Sequence, residues 1–165
     1  MIIENNTYIH PTAVIGPNVI IGNDCYIGPL CVIGYPAEYK GKEHLNAGVI
    51  IGDGTRLTGM VTIDTGTDKA TQIGERCYLM KHSYVAHDVI LGNNVTLSAG
   101  AKIGGHSVIG NDCNIGMNAA IHQKVTMPQR CMIGASAFVG KKTFLNPYRK
   151  YAGVPAKDIG ENLMK

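Results

Sequence analysis

The chain has 165 residues, a formal net charge of +3 and 45% hydrophobic residues, which suits one domain with a continuous core and is too little for two. An aromatic content of 6% and the lack of any block of like charges give nucleic-acid binding no support. Met1-Ile2-Ile3-Glu4 has no basic leader before an apolar segment, and no stretch approaches the roughly 18 apolar residues of a membrane span, so a cytoplasmic chain without such a span is predicted.

From the N-terminus, aliphatic anchors recur every six residues at Ile9, Ile15, Ile21, Ile27 and Ile33, and resume at Ile51, Leu57 and Ile63. They then run without a slip through Ile73, Leu79, Val85, Leu91, Leu97, Ile103, Ile109, Ile115, Ile121, Met127, Ile133 and Val139. Two residues before each anchor stands a small side chain, such as Ala13, Val19, Thr55, Ser83 or Ala101. The five cysteines, Cys25, Cys31, Cys77, Cys113 and Cys131, all fall in this slot, where a compact side chain packs inside. Their odd number and the absence of a CxxC pair suggest neither a disulfide framework nor a zinc site. Glycine usually follows the anchor, as at Gly16, Gly22, Gly104 and Gly116, where it permits a tight corner or a positive φ.

A strict period of six is neither the three-and-four spacing of an amphipathic helix nor the alternation of a hairpin sheet. Three hexads make an 18-residue coil of three short flat faces, and stacked coils pair their strands in parallel at about 4.8 Å. The predicted fold is an all-β, single-stranded left-handed parallel β-helix over residues 1–140. An excursion loop at 35–48 interrupts it, and residues 141–165, with Pro147 and Pro155, form a C-terminal cap. A second interruption separates Ile63 from Ile73, ten residues where six are expected. Loops on a rigid scaffold are where binding residues gather, although a merely tolerated insertion is the other reading.

Among the six histidines, His87, His106 and His122 are separated by 19 and 16 residues, each step within two of the coil period. They are predicted to share one edge of successive coils, about 5 to 10 Å apart. Imidazole is the side chain most readily poised to take a proton from a hydroxyl or amine nucleophile near neutral pH. Asp88 follows His87 directly, and since adjacent strand residues point oppositely, it can orient the ring only at a coil corner.

The stretches Ala86-His87-Asp88, Gly104-Gly105-His106 and Ile121-His122-Gln123, with their intervals, resemble the UDP-N-acetylglucosamine acyltransferases of lipid A biosynthesis, within the wider hexapeptide-repeat acyltransferases. Val61-Thr62-Ile63-Asp64-Thr65-Gly66-Thr67 is similar to a family segment in which histidine and arginine stand where this chain has Asp64 and Thr65. Pro36-Ala37-Glu38-Tyr39-Lys40 resembles the family's acidic-and-lysine substrate loop. The resemblance covers roughly residues 9–140 and implies an acyltransferase acting on a sugar or nucleotide-sugar, without the family's helical C-terminal domain.

The same resemblance implies His87 as general base, with Asp88 beside it, and the Gly105 N–H as oxyanion donor. It also implies Glu38, Lys40, Asp64, His106, His122 and Gln123 as contacts to the substrates, and a homotrimer with sites between neighbouring prisms. No permanently bound cofactor is implied.

Gly153-Val154-Pro155-Ala156-Lys157 is similar to the segment that closes the hexapeptide-repeat acetyltransferases near coenzyme A. Residues 141–165 carry Lys141, Lys142, Arg149, Lys150, Lys157 and Lys165, which suit a phosphate-bearing donor or are simply a solvated basic tail. On this basis acyl-coenzyme A is expected as co-substrate over acyl carrier protein, held by Lys141, Lys142 and Lys157. Two other readings remain. In a γ-class carbonic anhydrase, His82 and His87 would ligate zinc with Asp64 in place of the third histidine. A non-catalytic scaffold is the other, since a fold alone implies no activity.

Overall fold

The computed structural model describes residues 1–163. Met164 and Lys165, the last two residues of the expected cap, lie outside them. Over the described residues 23 strands and no helix are present. Consecutive strands visit three parallel sheets in rotation, of 7, 9 and 7 strands, here called the first, second and third faces. Each strand pairs with the one a coil away, as Tyr84 with Lys102 and Val85 with Ile103 on the third face. This is the left-handed parallel β-helix that the period predicts. The usual right-handed bias of parallel crossovers arises from strand twist. Strands of mostly two residues carry little of it.

The anchors stack into one interior column. Ile21, Ile27, Ile33, Leu57, Ile63, Leu79, Leu97, Ile103 and Ile115 are almost fully buried, each contributing about 1.5–3 kcal/mol of transfer free energy. Ile9 and Ile15 are only partly buried because no coil lies beneath the first. All five cysteines are free and buried in the small slot. Ser83 occupies the same slot with its hydroxyl unpaired among the described residues, at a cost of about 1–3 kcal/mol.

Most of the glycines after the anchors serve close approach rather than positive φ, Gly34 with a φ of 76° being an exception. A Cβ at Gly104 would stand 2.5 Å from the Gln123 nitrogen of the next coil. The left-handed conformation falls instead two residues later, at Asn18, Asp24, Asp88, Asn94, His106 and Asp112 among others. Asn and Asp tolerate it better than most non-glycine residues.

Past Val139, the strand Arg149–Ala152 adds to the second face in parallel, and Lys157–Glu161 folds back on it antiparallel. The excursion leaves the third-face strand Val32–Tyr35 and returns to the first-face strand Val49–Ile51. The second interruption joins Thr62–Asp64 to Thr71–Ile73, across the same corner. Both therefore open on one edge of the prism.

Candidate active site

That edge also carries the histidines. The register Val85, Ile103, Ile121 aligns His87 with Gly105 and Gln123, and Asp88 with His106 and Lys124, while His122 follows Ala86 and Gly104. The three histidines thus share one edge but stand in three adjacent columns. The His87 and His106 rings lie 5.0 Å apart, nearly perpendicular. His122 packs against Phe138 at 6.2 Å, and its Nδ1 is 3.0 Å from the Gln123 carbonyl.

At the corner, Asp88 has a φ of 59°, which brings its carboxylate to the same side as the preceding ring. His87 Nδ1 is 2.8 Å from Asp88 Oδ2, and the carboxylate is fully buried. Burial alone would raise the Asp88 pKa. The Lys69 N–H, His87, Thr67 and the Asp68 N–H all hydrogen-bond the charged form, and together they hold it well below the usual carboxylate range. An ionised carboxylate only accepts, so His87 Nδ1 carries the proton and Nε2 is left as the basic nitrogen.

Gly105 lies against that nitrogen. A Cβ there would fall 2.6 Å from His87 Cε1 and 2.7 Å from Nε2, so only glycine fits under the ring. Its N–H donates to no group among the described residues. His106, whose Nδ1 is 3.9 Å from Asp88 Oδ2, has a pKa lowered by burial, against the opposing pull of Asp88.

The two interruptions cover this edge. Tyr39 of the excursion lies over His87 with ring centres 4.8 Å apart, and meets His106 edge-on at 6.4 Å. The turn after Asp64 supplies the Thr67, Asp68 and Lys69 amides to Asp88. Asp64 is buried, and its Oδ2 accepts from the Tyr84 hydroxyl at 2.6 Å and from the Glu38 N–H at 3.2 Å. The side chains of Glu38 and Lys40 are exposed and make no hydrogen bond or ion pair among the described residues, and Gln123 is exposed as well.

Lys141 and Lys142 continue the Gln123 and Lys124 columns one coil on, by the register Ile121 with Val139, and Lys157 shares a shallow groove with Lys142. All three are exposed. Tyr39 and Tyr84 were missed from sequence. Tyr84 occupies the outward position next to an anchor, where nothing distinguishes it from a surface residue.

Three groups, His87, Asp88 and His106, offer ligand atoms within 4.8 Å of one another. The Asp88 oxygens are already filled by four donors from residues 67–69, as well as by His87, which fits an orienting carboxylate better than a metal ligand. His82 sits on the corner between the second and third faces, away from His87, and does not join Asp64 in any metal-sized group among the described residues. The zinc reading is not favoured. No helix among these residues is long and apolar enough to cross a membrane.

The family described as bacterial transferase hexapeptide (six repeats) matches residues 1–35 and 70–105. Repeat, coil and corner geometry together define a left-handed parallel β-helix, similar over those residues to the hexapeptide-repeat transferases.

More particularly, it is similar to UDP-N-acetylglucosamine acyltransferases. The acyl-[acyl-carrier-protein]–UDP-N-acetylglucosamine O-acyltransferase of Campylobacter lari is 41% identical over 111 residues, 58% of this chain and 42% of that protein. A crystal structure of a UDP-N-acetylglucosamine acyltransferase superposes with a TM-score of 0.93 at 29% identity, covering 97% of this chain and 62% of that one. The Bacteroides fragilis enzyme superposes at 0.90 and 27%, covering 96% and 62%. The chain therefore spans less than two thirds of the length of these relatives.

Their names correct one expectation. The Campylobacter lari protein and other curated relatives are named for an acyl carrier protein donor, against the coenzyme A expected from the basic C-terminal segment. The expectation failed because positive charge does not discriminate: it attracts an acidic protein surface as readily as a nucleotide phosphate.

Proposed function

We propose that this chain transfers an acyl group from an acyl carrier protein thioester to a hydroxyl or amine of a nucleotide-sugar of the UDP-N-acetylglucosamine type. The observation that carries this reading is the buried Asp88–His87 pair with the Gly105 backbone against the other edge of the ring. His87 Nε2 removes the proton as the acceptor oxygen or nitrogen attacks the thioester carbonyl. Charge developing on the carbonyl oxygen is met by the Gly105 N–H. Collapse of the tetrahedral intermediate breaks the carbon–sulfur bond, and the departing thiolate takes the proton back from the His87 imidazolium.

In this reading Glu38, Lys40, His106, His122 and Gln123 contact the substrates from around the edge. Lys141, Lys142 and Lys157 supply positive charge toward the donor. A cytoplasmic location belongs to the same proposal.

The test is an acylation assay with an acyl carrier protein thioester and UDP-N-acetylglucosamine, following the acylated sugar by mass spectrometry. Time-dependent product is expected. No product from a range of acyl lengths, with the fold intact, would favour a non-catalytic scaffold.

The proposed assembly is a homotrimer. Along the outside of the first face, Ile2, Ile20 and Ile50 are exposed and Ile90 and Val108 half-exposed in one register row, an aliphatic stripe interrupted by Gln72 that water does not favour. Light scattering at micromolar concentration is expected to give three times the chain mass. A monodisperse monomer would rule out a site shared between prisms.

A further inference from the structure

We propose that Tyr84 and Asp64 are positioning residues, which hold the crest of the excursion so that Tyr39 lies against the His87 ring. The proposal rests on the acyl-transfer reading for its effect on turnover but not for its geometry.

The roots of the excursion are tied to the turn after Asp64 by backbone contacts. Thr65 N–H donates to the Tyr35 carbonyl at 2.9 Å, Gly66 N–H donates to the Gly48 carbonyl at 3.0 Å, and Thr65 Oγ1 donates to Asn46 Oδ1 at 2.6 Å. None of these reaches the crest at residues 37–42. Besides the buried Ala37 side chain and the Tyr39 ring itself, the crest has two polar ties to the rest of the edge among the described residues. Lys42 meets Asp68 at 3.1 Å, with Lys42 partly exposed and Asp68 exposed, and such solvent-screened pairs contribute little. The other is the Glu38 N–H donating to the buried Asp64 carboxylate.

Asp64 is suited to that task only while Tyr84 supports it. Burial pushes the Asp64 carboxyl up, and the Tyr84 hydroxyl at 2.6 Å and the Glu38 N–H are the hydrogen bonds that oppose this. Burial and the neighbouring carboxylate push the Tyr84 hydroxyl up in turn, so it stays protonated and donating. Tyr84 is three residues before His87 on the strand Tyr84–Val85, so the anchor is rigid with respect to the ring it serves. The line of contact therefore runs from Tyr84 through Asp64 and the Glu38 backbone to Tyr39, and from there onto His87. With Tyr39 above, Gly105 against its Nε2 edge and Asp88 at Nδ1, the imidazole is confined in plane and in rotation. Catalysis requires a base held in this way.

Amide hydrogen exchange and the NMR shifts of the His87 carbon-bound ring protons test this on the full chain, comparing native protein, Tyr84→Phe and a Tyr39→Ala control. Tyr84→Phe is expected to speed exchange of the Glu38 and Tyr39 amides roughly tenfold or more, with strand amides unaffected. It should also move the His87 ring protons toward their positions in Tyr39→Ala, as the ring current of Tyr39 is lost. Unchanged exchange and unchanged shifts would overturn the proposal.

Should Tyr84→Phe fail to fold, Asp64→Asn, which keeps the side-chain volume, is judged by the same two readouts. In turnover the variant is expected to lose roughly tenfold in kcat while the acceptor KM stays within about twofold. A native chain that transfers no acyl group would refute the acyl-transfer reading and leave the exchange and shift data to decide the positioning.

Discussion

Replacing His87 by alanine is expected to lower turnover by about 10² to 10⁴ with the fold unchanged. The ring stands on a corner outside the stacked anchors, and the interior column that stabilises the prism does not include it. What is lost is the one basic nitrogen that Asp88 orients and Gly105 leaves uncovered by any Cβ. His106, 5.0 Å away, cannot replace it, because its Nδ1 is 3.9 Å from Asp88, beyond hydrogen-bonding range. Single-turnover measurement with the carrier-protein thioester, alongside circular dichroism, checks both halves of the statement. A folded variant with near-native turnover would remove His87 from the mechanism.

Asp88→Asn is expected to damage both activity and stability. The native carboxylate accepts from three backbone N–H groups, the Thr67 hydroxyl and His87. An amide has one accepting oxygen for these donors and turns two N–H groups toward the rest, so some buried donors lose their partner. A cost of about 2–4 kcal/mol follows from donors of this kind left unpaired. Facing an amide N–H, His87 is driven to carry its proton on Nε2, and turnover is expected to fall by about 10³ or more through the wrong tautomer.

The pH dependence separates the charge from the shape. The folded pKa of Asp88 lies below that of an unfolded aspartate, about 3.9, so its stabilisation is fully present above that value and is lost as pH falls through the folded pKa. The stability gap between native and variant in urea titrations is therefore expected to be constant near neutrality and to narrow below about pH 4. A gap that does not change with pH would mean that the carboxylate charge is not what holds the turn.

The His87–Asp88 contact shows where sequence reasoning reaches its limit. Adjacency suggested a contact only if the pair stood at a corner, and the pattern of anchors placed it near one. The left-handed φ at Asp88 is what makes the contact form. For the corner glycines the sequence marked the right residues but left the cause open between tight approach and positive φ. Contacts such as that of Gly104 with the Gln123 backbone decide for the first at most of them, while Gly34, with a φ of 76°, uses the second. The histidine spacings of 19 and 16 correctly implied a shared edge, yet three adjacent columns are not one stack, and His122 turns to Phe138 rather than to His106.

The amino-acid sequence by itself determined the prism. Each interior side chain of the repeat meets copies of its own slot one coil above and below, so a purely local period of six, with a small residue two before each aliphatic one, encodes the core of the prism, to which the segment after it adds Tyr151 and Ala156. Tertiary structure alone decided the site, because the excursion at 35–48 and the turn after Asp64 obey no period. Where they lie depends on contacts between non-repeating residues far apart in the chain: Glu38 with Asp64, Tyr39 with His87, and the Thr67, Asp68 and Lys69 amides with Asp88. Those contacts form only because both interruptions open at the same corner of the stacked coils.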